Sequence, residues 1–309
     1  LGVISKKTVS LKMQESLFRD IISIMSKEMA EKLEKLKKFL DTRSDVLMAF
    51  LFGSYAKDLI HRESDIDIAV YFKPKGNEVE YEEEKNYEGE DELWSEIEKI
   101  LEVKTDLVVL NRASSTLADS IIRDGKVLVM KDPKYFTRFS NVISEAADYY
   151  RDFMDDFLKI KERSNSLSLT DKERLIKVTE FLEQEMKDFS VFKKIDQIKY
   201  QNDKATKRNM ERWVENIVNS SIDIAKIILA SEKKLIPNTY KTILENLIEV
   251  DNFDLEKAKA LGKFAKIRNI LAHEYLDLRF NKIREFLAES EKFYSYLVNF
   301  SKNFIKKSK

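Results

Sequence analysis

Strand-like alternation in this chain is confined to residues 46–130, and everything after Lys131-Asp132-Pro133 carries only helical periodicity. That asymmetry constrains the fold more than any other feature, because it places a small sheet domain first and an all-helical domain behind it. A length of 309 residues with 43% hydrophobic content is enough for two ordinary cores. The helical half is punctuated at Ser164-Asn165-Ser166, Pro237-Asn238 and 251–254. We expect three segments: residues 1–135, a connecting helix over 136–165, and a helical bundle over 166–309.

Within the strand region one stretch stands out, FLFGSYAKDLIHRESDIDIAVYF. Its first apolar run, Val46 to Phe52, suits a buried strand that Gly53-Ser54 ends in a tight turn. A second run, Asp65 to Phe72, alternates with period two. Ile66, Ile68 and Val70 share one face, and Asp65 and Asp67 share the other. Carboxylates at that spacing stand roughly 6–7 Å apart at the backbone. Their repulsion is tolerable with water or a cation between them, and oxygen ligands suit Mg²⁺. Gly53 lets the backbone approach a phosphate, and Ser54 offers it a hydroxyl and an N–H. A third carboxylate, Asp106, opens the run Thr105–Leu110 and can take a proton from an attacking hydroxyl or help hold the metal. Taken alone, an Asp-x-Asp pair equally fits the wet side of an edge strand.

The whole arrangement, Gly-Ser, ten residues, Asp-x-Asp and a later strand Asp, resembles the minimal nucleotidyltransferases, relatives of polymerase β. The helix-Gly-strand pattern of Ala118 to Val129 is similar to that family's ending, so the likeness spans about residues 40–135. It implies transfer of a nucleotide from ATP, with Mg²⁺ on Asp65, Asp67 and Asp106 and the triphosphate over Gly53 and Ser54. Lys57 is the neighbouring counter-charge. Asp58 departs from the small residue that the family usually carries there.

The helical half holds one segment unlike its neighbours, Ala265-Lys-Ile-Arg268-Asn269-Ile-Leu-Ala-His273-Glu-Tyr275. Leu261, Phe264, Ile267 and Leu271 fall into one apolar stripe; Asn269 and His273, four apart, lie nearly opposite it. Histidine as acid and base, arginine on a phosphate and asparagine to orient would suit phosphodiester chemistry. An ordinary wet helix face reads the same way. Arg-x4-His-x-Tyr, here Arg268, His273 and Tyr275, resembles the motif of the HEPN helical-bundle ribonucleases, over about residues 170–309. The resemblance implies a metal-independent ribonuclease acting on RNA as a homodimer. It also implies a partner transferase that silences the ribonuclease by adding AMP to the tyrosine. The fold class expected is therefore α+β: a polymerase-β-like domain with a short mixed sheet, followed by an all-α HEPN bundle. The function expected is a fused toxin–antitoxin protein in which the first half adenylylates Tyr275. Two alternatives stay open: a small-molecule transferase of the aminoglycoside-modifying kind, and an inert helical dimerisation module.

Charge is balanced, 55 basic against 55 acidic residues, so no global field argues for nucleic acid or membrane. With no cysteine there is no disulfide framework and no thiolate site. No signal pattern opens the chain and no apolar run reaches membrane length, so a cytoplasmic protein is expected. Residues 11–40 read as a charged helix pair with Leu33, Leu36, Phe39 and Leu40 on its apolar side. The acidic run 78–92 reads as a solvated loop or helix start. Thr170 is the expected N-cap of a helix, His61 an exposed loop residue, and Lys193–Arg212 the basic stretch open to RNA phosphates.

Overall fold

The computed structural model describes residues 27–55, 65–76, 79–273 and 276–308, with backbone alone at 266, 268–273 and 276–278. It divides into two compact units, Leu1–Asp148 and Tyr149–Lys309. The expected positions Lys57, Asp58, His61 and Tyr275 lie outside the described residues, as does most of the first of the two helices expected over 11–40.

In the first unit, α1 (Lys27–Thr42) buries Leu33, Leu36 and Leu40, spaced three and four apart. Phe39, expected on the same stripe, is half-buried. The sheet is built from β1 (Val46–Phe52), β2 (Ile66–Phe72), β3 (Thr105–Val109) and β4 (Lys126–Met130), in the order β3-β2-β1-β4. β1 pairs antiparallel with both β2 and β4, and β2 pairs parallel with β3, so the sheet is mixed. A register shift between Val46 and Met48 switches the alternation of β1. Val46, Ala49, Leu51, Ile66, Ile68 and Val70 pack against α1 and α2 (Glu90–Leu101). Met48, Phe50, Ala69 and Tyr71 pack on the other side against α3 (Ser115–Asp124) and the first half of α4 (Pro133–Arg163). Both faces are covered, which explains the nearly continuous apolar runs of β1 and β2.

The acidic run 78–92 does end in a helix start, at Glu90, and the part before it is more tied down than a solvated loop. The Glu80 carboxylate accepts from Tyr87 Oη at 2.6 Å, Lys85 Nζ at 2.5 Å and Asn111 Nδ2 at 3.2 Å. Glu90, the first residue of α2, is paired with Arg112. Its negative charge at a helix start is favourable in its own right. Buried Asn111 also accepts from Phe72 N–H (2.8 Å) and donates to Phe72 C=O (2.9 Å), completing the end of β2 as a neighbouring strand would.

The second unit has helices and no strand among its described residues. It comprises the second half of α4, α5 (Leu169–Met186), α6 (Phe189–Phe192), α7 (Gln197–Asn202), α8 (Lys204–Ser231) and α9 (Tyr240–Glu245), then a 3₁₀ turn at Asn246–Glu249. It ends with α10 (Leu255–His273), α11 (Leu276–Glu289) and α12 (Glu291–Lys307). Its core gathers Phe153 and Phe157 of α4, Leu175 and Leu182 of α5, Ile217 and Ile224 of α8, Leu261 of α10 and Leu297 of α12. The N-cap of α5 is Ser168 rather than the expected Thr170: Ser168 Oγ accepts from Asp171 N–H at 3.1 Å and donates to the Asp171 carboxylate at 2.5 Å. That two-way exchange satisfies a helix-end N–H and positions a carboxylate that is 1% exposed and bonded to Arg163, an advantage Thr170 could not offer from inside the helix. Beside it, Asp156 accepts from Arg174 at 2.7 and 3.0 Å and pairs with Lys226 at 2.8 Å, linking α4, α5 and α8. No described helix is long and apolar enough to cross a membrane.

Candidate functional site

The end of β1 and the beginning of β2 converge on one carboxylate. β1 and β2 bring Phe52 opposite Asp67, and the parallel pairing of β2 with β3 brings Asp106 opposite Asp67 on the other side. β2 is therefore an interior strand, and Asp67 is not on the wet face of an edge. Gly53 follows β1 with φ +71, a left-handed conformation that side chains disfavour. A Cβ at that position would lie 1.9 Å from Asp67 Oδ2, so the carboxylate rests directly on the glycine backbone. Ser54 continues the same turn, half-exposed.

Asp67 is half-buried, whereas Asp65, just before β2, and Asp106, on β3, are exposed. Burial pushes the Asp67 carboxyl above the usual carboxylate range, and the charges of Asp106 and Asp65 push it further. Three like charges at the end of two parallel strands thus make a locally negative, strained site that a cation would relieve. Among the described residues no three ligating side chains close into a cage of their own. A Mg²⁺ ion held here by one or two of these carboxylates would need the rest of its ligands from substrate phosphate oxygens and water.

Two residues that sequence reasoning passed over frame this site. Trp94 of α2 donates its indole N–H to Thr105 C=O at 2.8 Å, and Glu98 of α2 accepts from Thr105 N–H at 3.3 Å. Thr105 precedes Asp106, so α2 clamps the outer edge of β3 beside its carboxylate. A solitary tryptophan in a run of acids was the available signal, but its partner is a backbone carbonyl that no local pattern points to.

In the second unit, Arg268, Asn269 and His273 lie on the last six residues of α10, whose helical backbone puts Asn269 and His273 one turn apart. Leu261, Phe264 and Ile267 of the expected stripe are buried. The basic stretch runs from the residue after α6 through α7 into α8. There Lys193 pairs with Glu291 at 2.5 Å and Arg212 with Glu215 at 2.9 Å, while Lys194, Lys204 and Arg208 are exposed. The Glu211 carboxylate accepts from Tyr200 Oη at 2.5 Å and from Arg279 of α11 at 3.5 Å, joining α7, α8 and α11.

Comparison with known proteins matches each unit separately. Residues 34–134 match the family described as polymerase beta, nucleotidyltransferase, and residues 173–300 match the family described as ribonuclease HepT-like. A Methanocaldococcus jannaschii protein classed as a protein adenylyltransferase is 40% identical over 84 residues, covering 26% of this chain and 74% of the relative. Similar solved structures include a toxin–antitoxin with AMP-PNP, at 26% identity over 41% of this chain and 97% of the other, with a TM-score of 0.32. Another is a tri-AMPylated Shewanella oneidensis HEPN toxin in complex with an MNT antitoxin, at 21% identity over 47% of this chain and 98% of the other, with a TM-score of 0.29.

Proposed function

We propose a self-modifying enzyme, from the premise that the chain belongs to the polymerase beta nucleotidyltransferase family and carries a HepT-like ribonuclease domain behind it. The first unit transfers AMP from ATP to the Tyr275 hydroxyl, and the modification silences a ribonuclease built on Arg268 and His273. The observation that carries this reading is the seat of Asp67 on Gly53, between Phe52 and Asp106.

The residues divide the work as follows. The N–H groups and hydroxyl of the Gly53-Ser54 turn bind triphosphate oxygens, and the missing side chain at Gly53 makes room for the Asp67 carboxylate beside them. Lys57 supplies a counter-charge. Asp65 and Asp67 would hold Mg²⁺, with Asp106 beside them, and the ion's contribution when bound is to neutralise charge on the phosphates. Asp106 accepts the proton of the incoming phenol. The phenol oxygen forms a bond to the α-phosphorus, the α–β phosphoanhydride bond breaks, and pyrophosphate leaves with its electron pair. In the second unit His273 moves the proton of an RNA 2′-hydroxyl that attacks the neighbouring phosphate, Arg268 stabilises the charge that develops, and Asn269 orients. Two copies meeting at this motif would complete that site. An added AMP places negative charge and bulk where RNA phosphates must lie.

The test is intact mass of the full chain with ATP and Mg²⁺, beside Asp65→Ala/Asp67→Ala and Tyr275→Phe. AMP-sized steps in the wild type alone, mapping to Tyr275, are expected, together with loss of RNA cleavage. Full labelling of Tyr275→Phe would remove the tyrosine from the scheme. Labelling of an added aminoglycoside in place of the chain would support a small-molecule transferase, the reading for which the acidic stretch 78–92 speaks.

A further inference from the structure

We propose that α7, the turn before it and the first two turns of α8 form a phosphate-binding track that holds single-stranded RNA beside the ribonuclease motif. The inference rests on the ribonuclease reading and adds to it where the strand is gripped outside the reacting groups. All the residues concerned belong to the second unit. Residues 193–212 carry seven cations against three acids, Asp196, Asp203 and Glu211. Three of the cations are paired: Lys193 with Glu291 at 2.5 Å, Lys207 with Glu211 at 4.0 Å and Arg212 with Glu215 at 2.9 Å. The other four, Lys194, Lys199, Lys204 and Arg208, are exposed, and none is in an ion pair among the described residues. The acids, by contrast, are all engaged within the protein. Asp196 caps α7 by accepting from Lys199 N–H at 2.8 Å. Asp203 caps α8 by accepting from Ala205 N–H at 2.9 Å, Thr206 N–H at 3.3 Å and the Thr206 hydroxyl at 2.6 Å. A carboxylate on a helix start is offset by the positive end of the helix. The four unopposed cations therefore set the sign of this face, in a chain whose 55 basic and 55 acidic residues otherwise cancel.

The face is built against the helix that follows the motif. The Tyr200 ring of α7 lies 5.0 Å from that of Phe280 on α11, and Glu211 of α8 bonds both Tyr200 and Arg279 of α11. Arg279 comes six residues after His273, and six residues span at most about 22 Å even when fully extended. A strand lying over Tyr200 and its neighbour Lys199 is thus within short reach of His273. Lys204 and Arg208, four apart, share one face of α8 and continue the line of charge. Separate lysines and an arginine on short helices and a turn supply point charges and no closed pocket, which suits the backbone of a strand rather than the edges of particular bases. Ile198, next to Lys199 and 71% exposed, offers the strand an apolar contact as well.

The salt dependence of RNA binding tests this, because each phosphate contact to a single strand adds about 0.7 to the slope of log affinity against log salt. A fluorescein-labelled single-stranded RNA is titrated by anisotropy against the full chain. That chain carries His273→Ala, which keeps the RNA whole, and Asp65→Ala/Asp67→Ala, which keep the protein free of added AMP. Lys194→Gln/Lys199→Gln/Lys204→Gln/Arg208→Gln should lower the slope by roughly 3 and the affinity at low salt by about tenfold or more. The control removes as much charge from exposed lysines elsewhere on the unit, Lys159→Gln/Lys177→Gln/Lys306→Gln/Lys307→Gln. It should change the slope by less than about 1 and the affinity by less than about threefold. With His273 restored, the track variant should raise KM for RNA and leave kcat within about threefold, the signature of lost uniform binding. An equal fall of slope in the control, tighter binding of duplex DNA than of RNA, or an unchanged KM would overturn the track while leaving the ribonuclease intact. RNA binding that depends on the four cations, in a chain that cleaves no RNA, would overturn the ribonuclease and leave the RNA-binding face standing. A chain that neither binds nor cleaves RNA would overturn both.

Discussion

Replacing Gly53 by alanine probes the site at the point where backbone and catalysis meet. At φ +71 an alanine pays about 1–2 kcal/mol for the left-handed conformation alone. Its Cβ would also start 1.9 Å from Asp67 Oδ2, where ordinary contact begins at 3.4 Å, so the carboxylate must retreat by about 1.5 Å. A displacement of about 1 Å at a reacting centre can lower a rate about a hundredfold. Gly53→Ala should therefore lower the melting temperature of the first unit by roughly 2–8 °C, at about 2–4 °C per kcal/mol for a unit of this size. It should reduce AMP incorporation by at least about a hundredfold. Calorimetry of the full chain reads the first effect and a mass time course the second. Ser54→Ala, which keeps the turn and removes only a hydroxyl, is the control and should cost less in both. A Gly53→Ala protein that labels within about threefold of wild type would refute the claim that Asp67 works from its seat on this glycine, whatever its melting temperature.

Two further outcomes follow from the charges. Because burial and the neighbouring Asp106 and Asp65 raise the Asp67 carboxyl, its ionised form is disfavoured in the fold, and the associated instability sets in as pH rises through the usual carboxylate range. Asp67→Asn should thus melt no lower than wild type at pH 7 without divalent ions, while Mg²⁺ should raise the melting temperature of the wild type only; a destabilised variant that still responds to Mg²⁺ would contradict this. Asp156 is the opposite case: burial would raise it, but hydrogen bonds from Arg174 and Lys226 outweigh that and hold it at about 2 against an ordinary 3.8. Its contribution, about 2 kcal/mol, is complete above pH ~4 and lost as pH falls towards ~2. The urea midpoint of the helical unit should fall across that window in the wild type and stay flatter in Asp156→Asn.

What the sequence made legible was whatever depends on neighbours along the chain. The confinement of period-two alternation to residues 46–130, the Gly-Ser turn and the helix-Gly-strand ending all follow from local residue types, and each corresponds to an element of the fold. What depends on pairing was not legible. The alternation of β2 put Asp67 on the face opposite Ile66, but only the strand order shows that β2 is interior, and only the parallel register sets Asp106 across from Asp67. The same limit hid Asn111, which bonds both backbone groups of Phe72, thirty-nine residues away, and Trp94, which bonds a carbonyl of β3. Even the local misplacement of the α5 cap has this origin, since Ser168 prevails over Thr170 by positioning Asp171 for Arg163, a residue of a different helix. The pattern has a physical cause. Residue chemistry announces a reactive group in the sequence, but the groups that hold it in place act through backbone amides, which every residue has and no motif records. In this chain two of the residues named by chemistry are accordingly held through the backbone: Asp67 is seated on a glycine without a side chain, and Asp106 follows a peptide whose oxygen a tryptophan binds.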